Sequence, residues 1–434
     1  MTLLVISPDY ASHLLPLATL ATAWRDAGDR VVVATGLATD PIVREFGLER
    51  YDLALGRGSN ARVIRAEDQP AEESDSLRGF FDATRRGMVP TLAYQARERL
   101  TDLMWDPVDA GRRTLAAVDA IRPDAILVDH LAFSARLALQ TAGVRYADVV
   151  LGHPSALPVA GEVYGYPPFW PAAFAPGEDE LTELRALCER VSLRFTDEWN
   201  RTAAVLDPGA SGTADAFREH GDLVLYNYPA ELAREDGRML PPHAFLGSTR
   251  REEAPDDQVE RWLASVSDFA YVSFGSFLSV RGDVLRRVAE ALAEIGMPAA
   301  IATGSTPPDE LGPIPEGWLV RDYLPQVRLL ASARLAVTHG GNNSVTEALG
   351  QAVPLLVLPF STDQFAGAAA IERAGAGRAL DPNTAGVPEL AAALVAVRDS
   401  SNTALLDSIA REQSARPGPV LAYGLAGGLG TPTS

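Results

Sequence analysis

Residues 338–347 read Thr-His-Gly-Gly-Asn-Asn-Ser-Val-Thr-Glu and follow the apolar run at 335–337. A strand that runs through a two-glycine turn into a helix leaves backbone N–H groups unpaired at the helix start, with His339, Asn343 and Ser344 beside them. That combination suits an anion. Glu347 lies three and four residues beyond Ser344 and Asn343, on the same helix face. A carboxylate next to phosphate donors is placed to accept from sugar hydroxyls. Ser344-x-x-Glu347 also has the spacing of a capping box, which needs no ligand. Capping requires neither the histidine nor Gly340 and Gly341, so the anion site is the working expectation.

Upstream stands Tyr323-Leu-Pro-Gln326, and downstream an apolar run at 353–360 leads into Ser361-Thr-Asp363-Gln364. In this order, Tyr-Leu-Pro-Gln, His-Gly-Gly-Asn-Asn-Ser-x-x-Glu and Asp-Gln resemble the donor-binding signature of family 1 nucleotide-sugar glycosyltransferases, over residues 323–364. Weaker matches extend through most of the chain, and bacterial natural-product glycosyltransferases are the nearest type.

The resemblance implies a GT-B fold and metal-independent, inverting transfer of a sugar from UDP or TDP to a small acceptor. It implies that Tyr323 stacks on the base and that Gln326 and Glu347 hold the nucleoside. His339, Asn343 and Ser344, with the Gly341 turn, would bind the diphosphate, and Asp363 and Gln364 the sugar hydroxyls. Plant relatives usually carry tryptophan where this chain has Tyr323 and Asn342.

Three more positions carry chemistry. Ser276 ends Ser-Phe-Gly-Ser at 273–276, where the family has a Ser or Thr at the β-phosphate; a glycine turn there is also ordinary chain reversal. His13 lies in Ala-Ser-His-Leu-Leu-Pro at 11–16, where Ser12 replaces the glycine of the family's Gly-His-x-x-Pro. The resemblance makes His13 the base that deprotonates the acceptor. A neutral imidazole suits that role near neutral pH, and the adjoining helix start is expected to resist its protonation. Asp129 closes the apolar run 125–128 and matches the acidic partner that orients the histidine, as the aspartate of a Ser-His-Asp triad does. Capping or core roles are the plain alternatives for both residues. Asp124, His130 and His153 are the fallback candidates.

The elements that must position these groups alternate strand and helix. Strands are expected at 3–7, 30–35, 125–128, 145–150 and 223–226, with a helix at 14–27 stopped by Gly28. A second alternation has strands at 270–274, 299–302, 335–338 and 355–358 and a helix at 283–295. This is an α/β plan with two facing, Rossmann-like parallel sheets and the ligand cleft between their carboxyl ends. The expected divisions are an acceptor domain at 1–247, a linker at 248–257, a nucleotide-sugar domain at 258–412 and a C-terminal tail at 413–434, frayed from Gly424 to Ser434. Phe80, Tyr164, Phe169 and Trp170 sit in aromatic clusters suited to lining an apolar acceptor pocket or to packing a core.

Composition narrows the field further. The 434 residues carry a net charge of −19, and all 38 basic residues are arginine. Nucleic acid is an unfavourable partner for such a surface, and no lysine exists for Walker, kinase or Schiff-base chemistry. One cysteine, Cys188, makes neither a disulfide nor a zinc site and fits a reducing cytoplasm. The first apolar run is too short for a signal peptide or a membrane span. The acidic run 178–180 reads as a solvated first helical turn, so no metal and no cofactor beyond the donor is expected. The partners that the resemblance implies are a UDP-sugar and a small hydrophobic acceptor. A nucleotide-sugar epimerase and a catalytically silent helper are the alternatives.

Overall fold

The computed structural model describes residues 1–60, 71–101, 104–249, 251 and 253–428, without the side chains of residues 71–73, 235, 276, 277 and 400. Seven strands form the first sheet: β1 (Thr2–Ile6), β2 (Arg30–Thr35), β3 (Glu49–Asp52), β4 (Ala125–Asp129), β5 (Ala147–Val150), β6 (Leu223–Tyr226) and β7 (His243–Phe245). Six form the second: β8 (Ala270–Ser273), β9 (Ala299–Ala302), β10 (Leu319–Arg321), β11 (Leu335–Thr338), β12 (Leu355–Val357) and β13 (Gly377–Ala379). The spatial orders are β3-β2-β1-β4-β5-β6-β7 and β10-β9-β8-β11-β12-β13. Every pairing is parallel, for example Ile6 with Val128 and Thr338 with Ser273.

The central strands are apolar on both faces because helices cover both faces of a parallel sheet. Leu3, Leu4, Val5 and Ile6 are all fully buried. In each sheet the strand order reverses once, between β1 and β4 and between β8 and β11, and a crevice opens where the crossovers leave in opposite directions. These two points are where His13 and Asp129, and Gly275 and His339, enter. The expected two-sheet GT-B architecture is the one observed.

Two segments depart from expectation. The helix Gly418–Ala426 is ordered and packs on the helix Ala11–Asp26, with Tyr423 meeting Trp24 edge-on at 5.1 Å and Ala422 and Ala426 fully buried. This part of the expected tail therefore adds Ala422 and Ala426 to the core of the first half, although the sequence predicts fraying from Gly424 on, while Val420 stays exposed. Similarly, the first-half helix Ala71–Thr84 docks on the second half. Arg281, 1% exposed, donates to the Thr84 carbonyl at 3.3 Å while pairing with Asp283, and Asn383 donates to the same carbonyl at 2.9 Å.

The acidic run opens the long helix Glu178–Leu206, with Glu180 accepting the Gly177 N–H at 3.0 Å. Among the described residues no helix is long and apolar enough to cross a membrane.

Candidate active site

Chain reversal after β1 brings His13 to the third position of the helix Ala11–Asp26, and β4, the neighbouring strand, ends on Asp129. The His13 Nδ1 lies 2.7 Å from Asp129 Oδ2, and Asp129 Oδ1 accepts the Leu131 N–H at 2.8 Å. Burial alone would raise the Asp129 carboxyl, but the His13 imidazole, His130 and the Leu131 N–H outweigh it and hold the group below the usual carboxylate range. Asp129 is thus a fixed negative charge with no solvent exposure.

For His13 burial works downward, and the Asp129 charge and hydrogen bond, with Asp363 further off, overcome it, so its pKa is raised. The helix start does not win here: a buried carboxylate at hydrogen-bond distance outweighs a partial helix charge. Since Asp129 takes Nδ1, Nε2 is the nitrogen left for a substrate. Asp124 is excluded as the partner. It accepts the Thr2 N–H at 2.7 Å, at the opposite end of β1.

On the other side of the cleft, β11 runs into Gly340, at φ +86°, where a Cβ would meet Val357 Cγ1 at 3.0 Å. A Cβ on Gly341 would lie 2.3 Å from His339 Nε2. The glycines thus make room for the imidazole, whose Nδ1 is buried and unpartnered among the described residues. Burial pulls the His339 pKa down to about 4. At neutral pH it offers a diphosphate a neutral ring and no cationic charge.

The helix Asn342–Leu349 starts three residues too early for Ser344 to cap it, with Gly341 as N-cap, so the capping box does not form. Ser344 donates instead to Gln326 Oε1 at 3.1 Å, and Gln326 Nε2 donates to Glu347 Oε2 at 2.5 Å. Glu347, 3% exposed, receives a second bond at Oε1 from Arg251 at 2.7 Å. Its carboxyl is nevertheless raised: burial exceeds the opposing pull of Arg251 and Gln326. Nothing in the sequence singled out Arg251. It sits in a polar stretch that reads as linker, next to Glu253, which also binds it at 2.9 Å.

Three donor-side groups reach across to backbone atoms of the first half. Asn343 donates to the Ser12 carbonyl at 3.2 Å, Asn342 donates to the Asn227 carbonyl at 2.8 Å, and Asp363 accepts the His153 N–H at 2.6 Å. The Ser12 carbonyl is available because its helical partner would be the N–H of residue 16, and Pro16 has none. Gln364 Oε1 accepts the N–H groups of Phe360 and Ser361 at 3.0 and 3.1 Å, bracing the turn that carries Asp363. Tyr323 is 54% exposed, with an open face. The Ser276 side chain lies outside the described residues.

Between the halves opens a cavity of about 350 Å³ whose lining includes His13, Tyr164, Asp363, Leu92, Gln95 and Arg99. Of the four aromatic candidates only Tyr164 lines it, stacked on Phe217 at 3.8 Å. Phe80 is buried in the second-half core because its helix docks there. Phe169 is held between His153, at 5.5 Å, and the Arg373 guanidinium, at 3.9 Å, and Trp170 packs on the core around the long helix. His130 lines the cavity too, but burial takes its pKa down to about 4. His153 Nε2 is spent on Asp236 at 3.2 Å.

In sequence and in fold the chain is similar to known proteins. Residues 233–420 match the UDP-glucoronosyl and UDP-glucosyl transferase family. An uncharacterized UDP-glucosyltransferase, YojK of Bacillus subtilis, is 30% identical over 175 residues, which is 38% of this chain and 41% of that protein. The L-demethylnoviosyl transferase of Streptomyces niveus is 25% identical over 98% of both chains. Among solved structures, the glycosyltransferase VinC in complex with dTDP superimposes with a TM-score of 0.67 at 18% identity, covering 99% of both chains.

The electrostatics give a direct expectation for the histidines. In an NMR titration of ring nitrogens, His13 should protonate above pH 6.5, whereas His130 and His339 should remain neutral down to about pH 5. A His339 ring that charges near pH 6, or a His13 ring that stays neutral there, contradicts the arrangement described.

Proposed function

We propose that this chain, which matches the UDP-glucoronosyl and UDP-glucosyl transferase family over residues 233–420, works as a family 1 glycosyltransferase and moves a hexose from a UDP-sugar, with inversion, to a hydroxyl of a small, largely apolar acceptor. The observation that carries this reading is the 2.7 Å contact between His13 and Asp129 at the cavity wall, facing the glycine turn and helix start of the second half. The acceptor oxygen bonds to the anomeric carbon as the bond from that carbon to the diphosphate oxygen breaks, and the acceptor proton passes to His13 Nε2. Asp129 keeps Nδ1 protonated and stabilises the imidazolium that forms. Attack from the side opposite the diphosphate inverts the centre, and a base in one half with amides in the other suits that line.

The leaving diphosphate would be met by free N–H groups at the start of the helix Asn342–Leu349 and by the neutral N–H of His339. No metal is assigned to this step. Gln326 and Glu347 would hold the ribose, Tyr323 the base and Asp363 the sugar. Both Glu347 oxygens already accept one hydrogen bond, from Arg251 and Gln326, so each offers a single further lone pair to a ribose. UDP-sugars are therefore preferred by only a modest margin over TDP-sugars; VinC, of the same fold, binds dTDP. An epimerase has no use for a base that opens onto a second substrate's cavity, and a silent helper has no use for the dyad. The buried, free Cys188 suits work in the reducing cytoplasm.

With an ordinary alcohol as acceptor, His13→Ala should lower kcat by roughly 10²- to 10⁴-fold and leave the Kd for UDP nearly unchanged. The same assay in excess EDTA should run at the full parental rate. A variant that turns over like the parent removes His13 from the mechanism, and a chelated enzyme revived only by magnesium or manganese removes the metal-free step.

A further inference from the structure

Among the described residues, one side chain that is cationic at every working pH lines the cavity. Along the helix Met88–Thr101 the residues at 92, 95, 96 and 99 fall on one face, and all four line the cavity: Leu92 and Ala96 apolar, Gln95 and Arg99 polar. Arg99 is the only arginine of that lining, and among the described residues it has neither a hydrogen bond nor an ion pair. Its one contact of note is the Phe133 ring, with the guanidinium carbon 5.5 Å from the centroid. Gln95 Oε1, one turn before it, is buried and likewise without a hydrogen-bond partner.

These facts are unusual for this protein. It has 57 acidic residues to 38 basic ones, and two other largely buried arginines are paired: Arg251 with Glu347 and Glu253, Arg238 with Glu162. A guanidinium against an aromatic face, beside apolar side chains and without a carboxylate, gives up hydration and gets little back. An arriving anion would repay it with a two-pronged, charge-assisted contact. The net charge of −19 repels anions in general, so an anionic acceptor needs a local cation of this kind.

We propose that Arg99 selects acceptors that carry an anionic group, a carboxylate in the first instance, at a distance from the hydroxyl that is glycosylated. Gln95 then takes a hydrogen-bond donor of the same acceptor. The apolar middle of the molecule rests between Leu92, Ala96 and Tyr164, and the hydroxyl points to His13. This rests on the glycosyltransferase reading above and narrows it to hydroxylated aromatic acids as the substrate class. Arg99 is a specificity residue here and takes no part in bond making.

The test compares hydroxylated aromatic acids with their methyl esters, which keep shape and hydroxyl but lose the charge. Binding is measured calorimetrically without donor, and transfer is measured with a UDP-sugar. The parent should favour the acid over the ester by about tenfold or more in both Kd and kcat/KM, corresponding to about 1.4 kcal/mol or more. Arg99→Gln should abolish that preference while keeping ester turnover, which also shows that the variant folds; Arg99→Lys should restore part of it. Equal use of acid and ester by the parent overturns the proposal. So does a preference that survives in Arg99→Gln. If the acid binds in an Arg99-dependent way and no sugar is transferred to either compound, the inference stands and the glycosyltransferase reading fails.

Discussion

The hydrogen bond from Asn343 to the Ser12 carbonyl ties the donor half to the helix that carries His13. It exists because Pro16 denies that carbonyl its helical partner, so one imino acid inside the first helix creates an acceptor facing the cleft. The bonds from Asn342 to the Asn227 carbonyl and from the His153 N–H to Asp363 fix the same edge at two further points. All three bonds end on main-chain atoms of the first half. Side chains in that half can change with the acceptor without moving the donor turn relative to His13.

Around this frame environment alone gives one residue type two opposite behaviours. His13 faces a buried carboxylate and is easier to protonate than a free histidine. His339 and His130 are buried without enough compensating charge, which pulls their pKa values down to about 4. A base that must hold a proton in the transition state thus lies opposite a neutral donor, and the division follows from where Asp129 ends its strand. The glycines at 340 and 341 belong to the same account, since side chains there would displace the His339 ring or collide with Val357.

Much of this was legible in the chain, and the failures share a physical cause. Each of the strands read from the sequence lies inside a sheet, where burial on both faces writes a continuous apolar run. The four that went unread, β3, β7, β10 and β13, are the four sheet edges: Glu-Arg-Tyr-Asp and Gly-Arg-Ala do not look like strands because one side of each is unpaired and wet. At the site, the turn at 338–347 was readable from residue type and spacing, whereas the pair His13 and Asp129, 116 residues apart, was readable only through the resemblance to the family. Arg251, Asn342 as a bridge, and the Gln95 and Arg99 face were not, since their meaning comes from partners 96 and 115 residues away or from a cavity that only the folded chain encloses. Phe80, Phe169 and Trp170 could not be assigned to pocket or core for the same reason. An aromatic cluster looks alike whether it faces a ligand or a core.

The central claim is that Asp129 sets the basicity of His13 and that this pair accepts the acceptor's proton. The pH dependence of kcat/KM for an aliphatic alcohol, in the parent and in Asp129→Asn, tests it most directly. In the parent the rate should fall as the pH drops through the raised pKa of His13, because only the neutral ring can act as base. Without the Asp129 charge that pKa must fall, so in the variant the acidic limb should shift to lower pH and the plateau should drop by orders of magnitude. An acidic limb at the same pH in both proteins, or a plateau that Asp129→Asn leaves intact, would contradict the account.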